Sequence, residues 1–177
     1  ATLDCGSVQL DPFTVDTKAS LEEYYSTVVA RRGELLDAEV SWLRATRTDL
    51  VVSDVVPIAC AAAAEAGIPA VAVTNFSWDF IYSEYLTTQR RPEFRQLVWG
   101  IATDYAAASL LLRLPGHVPM PAFQAVEDVP LVVRHAHKSA EQVRSELSLP
   151  PGVRIAVLIY GGHRASLEVR EDFLPPG

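Results

Sequence analysis

The stretch from Asp49 to Tyr82 constrains the fold of this chain most strongly, because it has the pattern of one βαβ unit. Leu50–Ser53 is a short apolar run rich in β-branched residues, typical of a strand buried on both faces of a sheet. Pro57 suits a first helical turn, where its missing N–H costs nothing, and Gly67 suits the left-handed end of the Ala-rich helix that follows. Pro69–Thr74 is a second apolar run, so we predict two parallel strands joined by a right-handed crossover.

Polar residues follow both predicted strands. Asp54 comes directly after the first strand, and Asn75, Ser77, Trp78 and Asp79 come after the second. Open parallel sheets bind ligands just outside the carboxyl ends of their strands. Carboxylate and amide groups can take the hydroxyls of a sugar while an indole ring packs on its flat apolar face. We therefore predict a substrate site for a sugar or nucleotide-sugar at these five residues, and Asp54 could also act as a base.

Each of these residues has a structural alternative. Asp54 precedes a helix, and capping the first N–H groups of that helix is the favoured interpretation, although it is compatible with ligand binding. Ser77 or Asp79 could cap the next helix while Trp78 fills the core. For that second loop the sequence favours neither interpretation.

Apolar spacing and capping signals predict the other elements of the amino-terminal part. Ser20 and Glu23 fit a capping box at the start of a helix that runs to about Leu43. Two more helices and a strand are predicted at Trp78–Leu86, Glu93–Ser109 and Leu110–Leu114.

The sequence changes character after this strand. Residues 115–130 contain four prolines and little periodicity, which indicates an ordered loop or linker. Leu131–Arg134 could form a short strand before a helix capped by Ser139, with Gln142 three residues later. Val153–Tyr160 is predicted to be a buried strand. We expect an α/β fold with a Rossmann-like open parallel sheet in residues 1–130, a linker and helix in 131–150, and the start of a truncated second α/β domain in 151–177.

A glycine pair follows the last predicted strand. Gly161 and Gly162 would let a backbone approach a phosphate closely, and His163 could add positive charge for a diphosphate. A lone Gly-Gly is a weak signal, and a simple turn is the favoured interpretation. These three residues are the candidate cofactor site for a nucleotide-sugar donor.

Composition excludes several classes of partner. The net charge is −7 and no basic patch is interleaved with aromatic residues, so nucleic acid is not an expected partner. No apolar run reaches the roughly 18 residues of a membrane span. Cys5 and Cys60 are the only cysteines, too few for a disulfide framework or a metal site; Cys60 suits a core position, and we expect a reducing, cytoplasmic compartment. His135 and His137 lack further ligands at recognisable spacing, so no metal site is predicted.

Four long strings place this organisation in a family. DLVVSDVVPIAC, GIPAVAVTNFSWDFIYSEY, LRLPGHVPMPAF and DVPLVVRHAHKS resemble the amino-terminal, glycosyltransferase-like region of plant-type L-arabinokinases. DCGSVQLDPFTVDTKASLEEY extends the resemblance almost to the start of the chain. An α/β domain, a Pro-rich connection and a new strand ending in Gly-Gly also resemble the domain junction of GT-B-type glycosyltransferases.

The resemblance implies a division of labour. In that family a sugar kinase domain follows downstream, and the full protein uses ATP and Mg²⁺ to phosphorylate L-arabinose at its anomeric carbon for nucleotide-sugar salvage. No phosphate loop of that kinase lies in these residues, so the segment itself needs no cofactor for kinase chemistry and should be inactive as a kinase. Three roles remain open for the segment: a sugar-binding regulator of the kinase, part of a working glycosyltransferase, or a non-catalytic scaffold.

Overall fold

A computed structural model of the chain describes residues 2–89, 92–157 and 159. These residues fall into two compact units, one within 1–8 and 15–131 and the other within 9–14 and 132–159. The elements are β1 (Gln9–Asp11), β2 (Thr14–Val15), α1 (Thr17–Thr27), α2 (Arg32–Ala45), β3 (Val51–Ser53), α3 (Pro57–Ala66), β4 (Ala70–Thr74), α4 (Trp78–Gln89), α5 (Arg95–Ala106), β5 (Leu110–Arg113), β6 (Val126–Asp128) and α6 (Ala140–Glu146), with single 3-10 turns at Val29–Arg31 and Pro92–Phe94.

The larger unit is built on a four-stranded sheet in which every pair is parallel. The strands lie in the order β3-β4-β5-β6, which is their order along the chain. Helix α3 packs on β3 and β4 and lies between α2 and α5, and α4 packs on α5. The predicted α/β fold with an open, Rossmann-like parallel sheet is confirmed.

The βαβ unit forms from the local signals that predicted it. Pro57 is the first residue of α3, and Gly67 ends that helix in the left-handed region at φ 77°. The Gly67 N–H donates to carbonyls of the last helical turn, a geometry that a residue with a Cβ adopts only under strain. β3 and β4 then pair in register, with Val52 opposite Val71.

Only one face of the sheet is buried. Ala70, Ala72 and Leu111 face the helices and are almost completely inaccessible, in a core that also holds Cys60 as predicted. The prediction that the first strand is buried on both faces is wrong, because Val52 on the other face is 64% exposed. Val71, Val73, Leu110 and Leu112 on that face are partly exposed as well.

The first helices differ from the prediction in where they begin and end. α1 starts at Thr17 because Asp16 is its cap, accepting a hydrogen bond from Ala19 N–H at 2.9 Å. The predicted capping box of Ser20 and Glu23 is therefore wrong. Ser20 lies inside the helix, where its hydroxyl donates to Asp16 O. The helix also stops at Thr27 instead of running to Leu43, since the β-branched pair after it and a glycine in the next turn weaken a continuous helix.

Two predictions for the chain after β5 are corrected. Residues 115–130 are not all loop, because Val126–Asp128 form β6 beside β5. Arg113 on β5 donates to both carboxylate oxygens of Asp128, at 2.6 and 3.0 Å, which holds the two strands in register. The strand predicted at Leu131–Arg134 does not form; these residues are exposed apart from any sheet.

Among its described residues, the smaller unit holds one helix, α6. Its cap is the predicted one: Ser139 Oγ accepts from Gln142 N–H, and the Gln142 side chain accepts from Ser139 N–H. Residues 153–157 and 159 of the strand expected at Val153–Tyr160 are exposed and form no strand. Leu158 and Tyr160 lie outside the described residues, and the division into two α/β domains stays a prediction.

Candidate functional site

The five residues predicted to bind a sugar all lie where β3 and β4 end. We call them the strand-end cluster: Asp54, Asn75, Ser77, Trp78 and Asp79. β3 and β4 are neighbours that run in the same direction, so both following loops emerge at one edge of the sheet. The sequence prediction that this edge gathers polar groups therefore matches the backbone, and the side chains decide what they can do.

A buried tyrosine of α5 joins the two loops. The Tyr105 hydroxyl donates to Val55 O at 2.6 Å in the loop after β3. The same hydroxyl oxygen accepts from the backbone N–H of Trp78 at 3.4 Å, at the start of α4. Burial raises the Tyr105 pKa far above that of an ordinary tyrosine, so the ring stays a neutral phenol. Tyr105 therefore links the two loops through a neutral hydroxyl.

The loop after β3 is held in an unusual conformation. Val55 has φ 60°, in the left-handed region that a β-branched side chain rarely enters. Such a residue costs about 1–3 kcal/mol and persists only when its surroundings hold it there. Besides Tyr105, the Ser53 hydroxyl supports the turn by accepting from Val56 N–H at 3.1 Å.

Asp54 is exposed at the tip of this turn. The expectation that it caps the following helix is wrong, because α3 begins after Val56 with no side-chain cap, and Ser53 already takes the Val56 N–H. The carboxylate of Asp54 is therefore left facing solvent, where it can accept hydrogen bonds from a ligand.

Trp78 faces inwards in this structure. Its indole N–H donates to Asp4 Oδ2 at 2.9 Å, and its ring stacks on Tyr82 with centroids 5.2 Å apart. Phe76 packs edge-on to it at 5.1 Å. Only 8% of Trp78 is exposed, so the ring fills the core and offers little area to a sugar.

Ser77 and Asp79 are buried at the amino end of α4. Ser77 O accepts from Ile81 N–H in the first turn, while Ser77 Oγ has no hydrogen-bond partner among the described residues. Asp79 Oδ1 also has no hydrogen-bond partner among the described residues, and only 6% of Asp79 is exposed. Leaving such a group unsatisfied costs about 1–3 kcal/mol. A carboxylate oxygen can only accept, so it needs a donor such as a hydroxyl, an ammonium group or water.

Asn75 completes the exposed part of the edge. Its carbonyl accepts from Val118 N–H at 2.9 Å, which brings the loop after β5 beside the loop after β4. His117 in that loop is also exposed. The outer rim of the strand-end cluster is thus Asp54 and Asn75, and its inner part is Ser77, Trp78 and Asp79.

Three contributors were not predicted from the sequence. Asp4 contacts Trp78 across 74 residues of chain, and the Tyr82 hydroxyl, also on α4, donates to Gly6 O at 2.7 Å. No local signal could have found these long-range contacts. Tyr105 lies on the apolar stripe of α5. The spacing of apolar residues predicts that its ring is buried, but it does not predict the partners of its hydroxyl.

A partly buried ion pair joins α2 and α5. Arg32 at the start of α2 donates to Asp104 on α5. Burial raises the pKa of Asp104, and the hydrogen bond from Arg32 opposes that rise. The same hydrogen bond raises the pKa of Arg32. Arg32 and Asp104 therefore hold α2 against α5.

The cofactor prediction cannot be placed in the same way. Gly161, Gly162 and His163 lie outside the described residues. Among residues 2–89, 92–157 and 159, no group of three or more His, Cys, Asp or Glu side chains is arranged to hold a metal ion. In that same part of the chain, no helix has the length and apolar character to cross a membrane.

Comparison with known proteins gives one informative match. The chain is 53% identical to L-arabinokinase of Arabidopsis thaliana over 175 residues, which is 99% of this chain. The chain resembles part of an arabinokinase. The resemblance to L-arabinokinase expected from the sequence motifs is therefore confirmed. No protein-family model matches the chain, and no solved structure matches it.

The match covers only a small part of the L-arabinokinase sequence. The chain spans 17% of the length of that relative. The aligned region includes the strand-end cluster, since only two residues of this chain can fall outside it.

Proposed function

We propose that this chain is the glycosyltransferase-like, GT-B-type portion of an arabinokinase-like protein that acts in the cytoplasm. The observation that carries the proposal is 53% identity to L-arabinokinase over nearly the whole chain, together with coverage of only 17% of that relative. The full protein would phosphorylate L-arabinose with ATP and Mg²⁺ to L-arabinose 1-phosphate, for nucleotide-sugar salvage. Its kinase domain would be a partner of this segment within one polypeptide.

Within the segment, we assign sugar or nucleotide-sugar binding to the strand-end cluster. Asp54 and Asn75 are exposed at the sheet edge and would take ligand hydroxyls. The unpartnered oxygens of Ser77 and Asp79 support a polar ligand that donates hydrogen bonds to them once Trp78 shifts. A donor diphosphate would lie at Gly161, Gly162 and His163.

A non-catalytic scaffold is the second candidate function. The observation that favours it is the Trp78 ring, which Tyr82, Phe76 and Asp4 hold inside the core. A working nucleotide-sugar-dependent glycosyltransferase would in addition need a base beside the bound acceptor, and Asp54 is the carboxylate available for that role.

Ligand-dependent thermal stability separates binding from scaffolding. Wild type would be melted with L-arabinose, L-arabinose 1-phosphate, UDP and UDP-sugars. At one hundred times its dissociation constant, a ligand stabilises the fold by about 2.7 kcal/mol. The shift should disappear in Asp54→Asn and persist in Asp37→Asn, which removes the same charge from an exposed position on α2. No shift with any of these compounds would support the scaffold.

A kinase assay tests the proposal for the whole protein. The 177-residue chain should transfer no phosphate from ATP to L-arabinose, whereas the product of the complete gene should. Activity in the short chain, or its absence in the complete product, would contradict the proposal.

A further inference from the structure

The four-stranded sheet has one face that the described residues leave open. Pairing places Val52, Val71 and Leu110 in one row on that face, and Val73 and Leu112 in the next. We call these five residues the open sheet face. Val52 is 64% exposed and the other four are partly exposed, whereas Ala70, Ala72 and Leu111 on the opposite face are covered.

Sheets made only of parallel strands are almost always covered on both faces. Here the strands are added in chain order in one direction, β3-β4-β5-β6. Right-handed crossovers between strands added in one direction put their helices on the same face. The connections of β3 to β6 therefore cover one face, and the other face needs helices from strands added in the opposite direction.

The two edge strands of the sheet, β3 and β6, differ in how well each could pair with another strand. β6 carries Glu127 and Asp128, and charged side chains discourage pairing at an edge. β3 has the sequence Val-Val-Ser without a charge, and it pairs only with β4 among the described strands. Leu50, immediately before β3, is also 49% exposed. The uncharged, apolar edge at β3 is therefore better suited than β6 to accept a further strand.

We propose that a strand–helix segment of the same polypeptide, lying outside these 177 residues, completes the sheet. Its strand pairs in parallel with the edge of β3, and its helix packs on the open sheet face. A helix about 10 Å across spans two strand spacings of about 4.8 Å, which matches the row of Val52, Val71 and Leu110. The relative matched over 17% of its length has ample chain to supply such a segment.

Thiol labelling of the open face tests this proposal. Val52→Cys would be compared with Asp37→Cys, an exposed control on α2, in the 177-residue chain and in the product of the complete gene. The native thiols add little background near neutral pH, because burial raises the pKa of both Cys5 and Cys60 to about 11. In the short chain both engineered thiols should react at similar rates. In the complete product Val52→Cys should react about tenfold or more slowly, with the control unchanged.

Other outcomes would overturn the proposal. Equal labelling of Val52→Cys in both proteins would mean that the face stays open. Protection already present in the short chain would mean another occupant: a second copy if it depends on protein concentration, and residues of this chain if it does not. Hydrogen exchange of the wild-type β3 amides asks the same question without a substitution, and unchanged exchange in the complete product would also refute the inference.

Discussion

Replacing Tyr105 with phenylalanine tests whether one hydroxyl holds the two strand-end loops together. The ring keeps its packing against Phe123, where the centroids are 4.8 Å apart, so the substitution removes little more than the hydroxyl. Two backbone groups then lose their partner: Val55 O, bonded at 2.6 Å, and Trp78 N–H, bonded at 3.4 Å. The shorter bond dominates, because hydrogen bonds weaken beyond about 3.2 Å.

The expected cost of Tyr105→Phe is about 1–3 kcal/mol, since a buried carbonyl is left without a donor. In a chain of this size each kcal/mol lowers the melting temperature by about 2–4 °C. Urea unfolding followed by tryptophan fluorescence and circular dichroism should show a lower midpoint with an unchanged slope.

Tyr25→Phe is the matched control for this measurement. It removes the same atom from a tyrosine that is 51% exposed. The control should stay within about 0.5 kcal/mol of wild type, as surface substitutions usually do. If Tyr105→Phe is as mild as the control, the hydroxyl does not hold the loops and the reasoning fails.

Three further predictions follow from burial and charge. Leu111→Ala should lower the free energy of unfolding in urea by about 2–5 kcal/mol, whereas Val52→Ala on the open sheet face should lower it by less than about 1 kcal/mol. Equal losses of stability would contradict a core on one face of the sheet. Asp4→Ala should cost about 1–2 kcal/mol and shift the tryptophan emission, because the indole N–H of Trp78 loses a charged acceptor, and Asp37→Ala should do neither. The Cys5 pKa is raised to about 11, first by burial and then by Asp4. The rate of thiol labelling at Cys5 in the folded chain should therefore rise about tenfold per pH unit between pH 8 and 10. A plateau of that rate near pH 9 would show that Cys5 has an ordinary thiol pKa.

The sequence predicted those parts of the fold that local chemistry specifies. Pro57 and Gly67 mark the two ends of α3, and Ser139 with Gln142 marks the start of α6; in each case the signal and the structure lie within one turn. The cap of α1 was misplaced because Asp16 and Ser20 are both good caps, and the choice depends on Val8 N–H, which donates to Ser20 Oγ at 2.9 Å.

Contacts between distant residues account for what the sequence missed. β6 has no alternating apolar pattern. Its pairing with β5 rests on backbone hydrogen bonds, such as that from Leu111 N–H to Ala125 O, and on the contact between Arg113 and Asp128, 15 residues apart. Trp78 could have faced a ligand or the core on local grounds. Asp4, 74 residues away, holds the ring inwards. The sequence correctly predicts that the strand-end cluster lies where β3 and β4 end. It does not show which of these residues are exposed and which are buried.

The positions of Tyr105 and Asp104 as neighbours on α5 have a mechanical consequence. Tyr105 holds both loops of the strand-end cluster, and Asp104 holds the first residue of α2 through Arg32. Since one turn of helix is stiff, a shift of a loop that moves Tyr105 also displaces Asp104. Anything that reshapes the sheet edge would therefore be transmitted through α5 as a pull on α2, on the far side of the same helix layer.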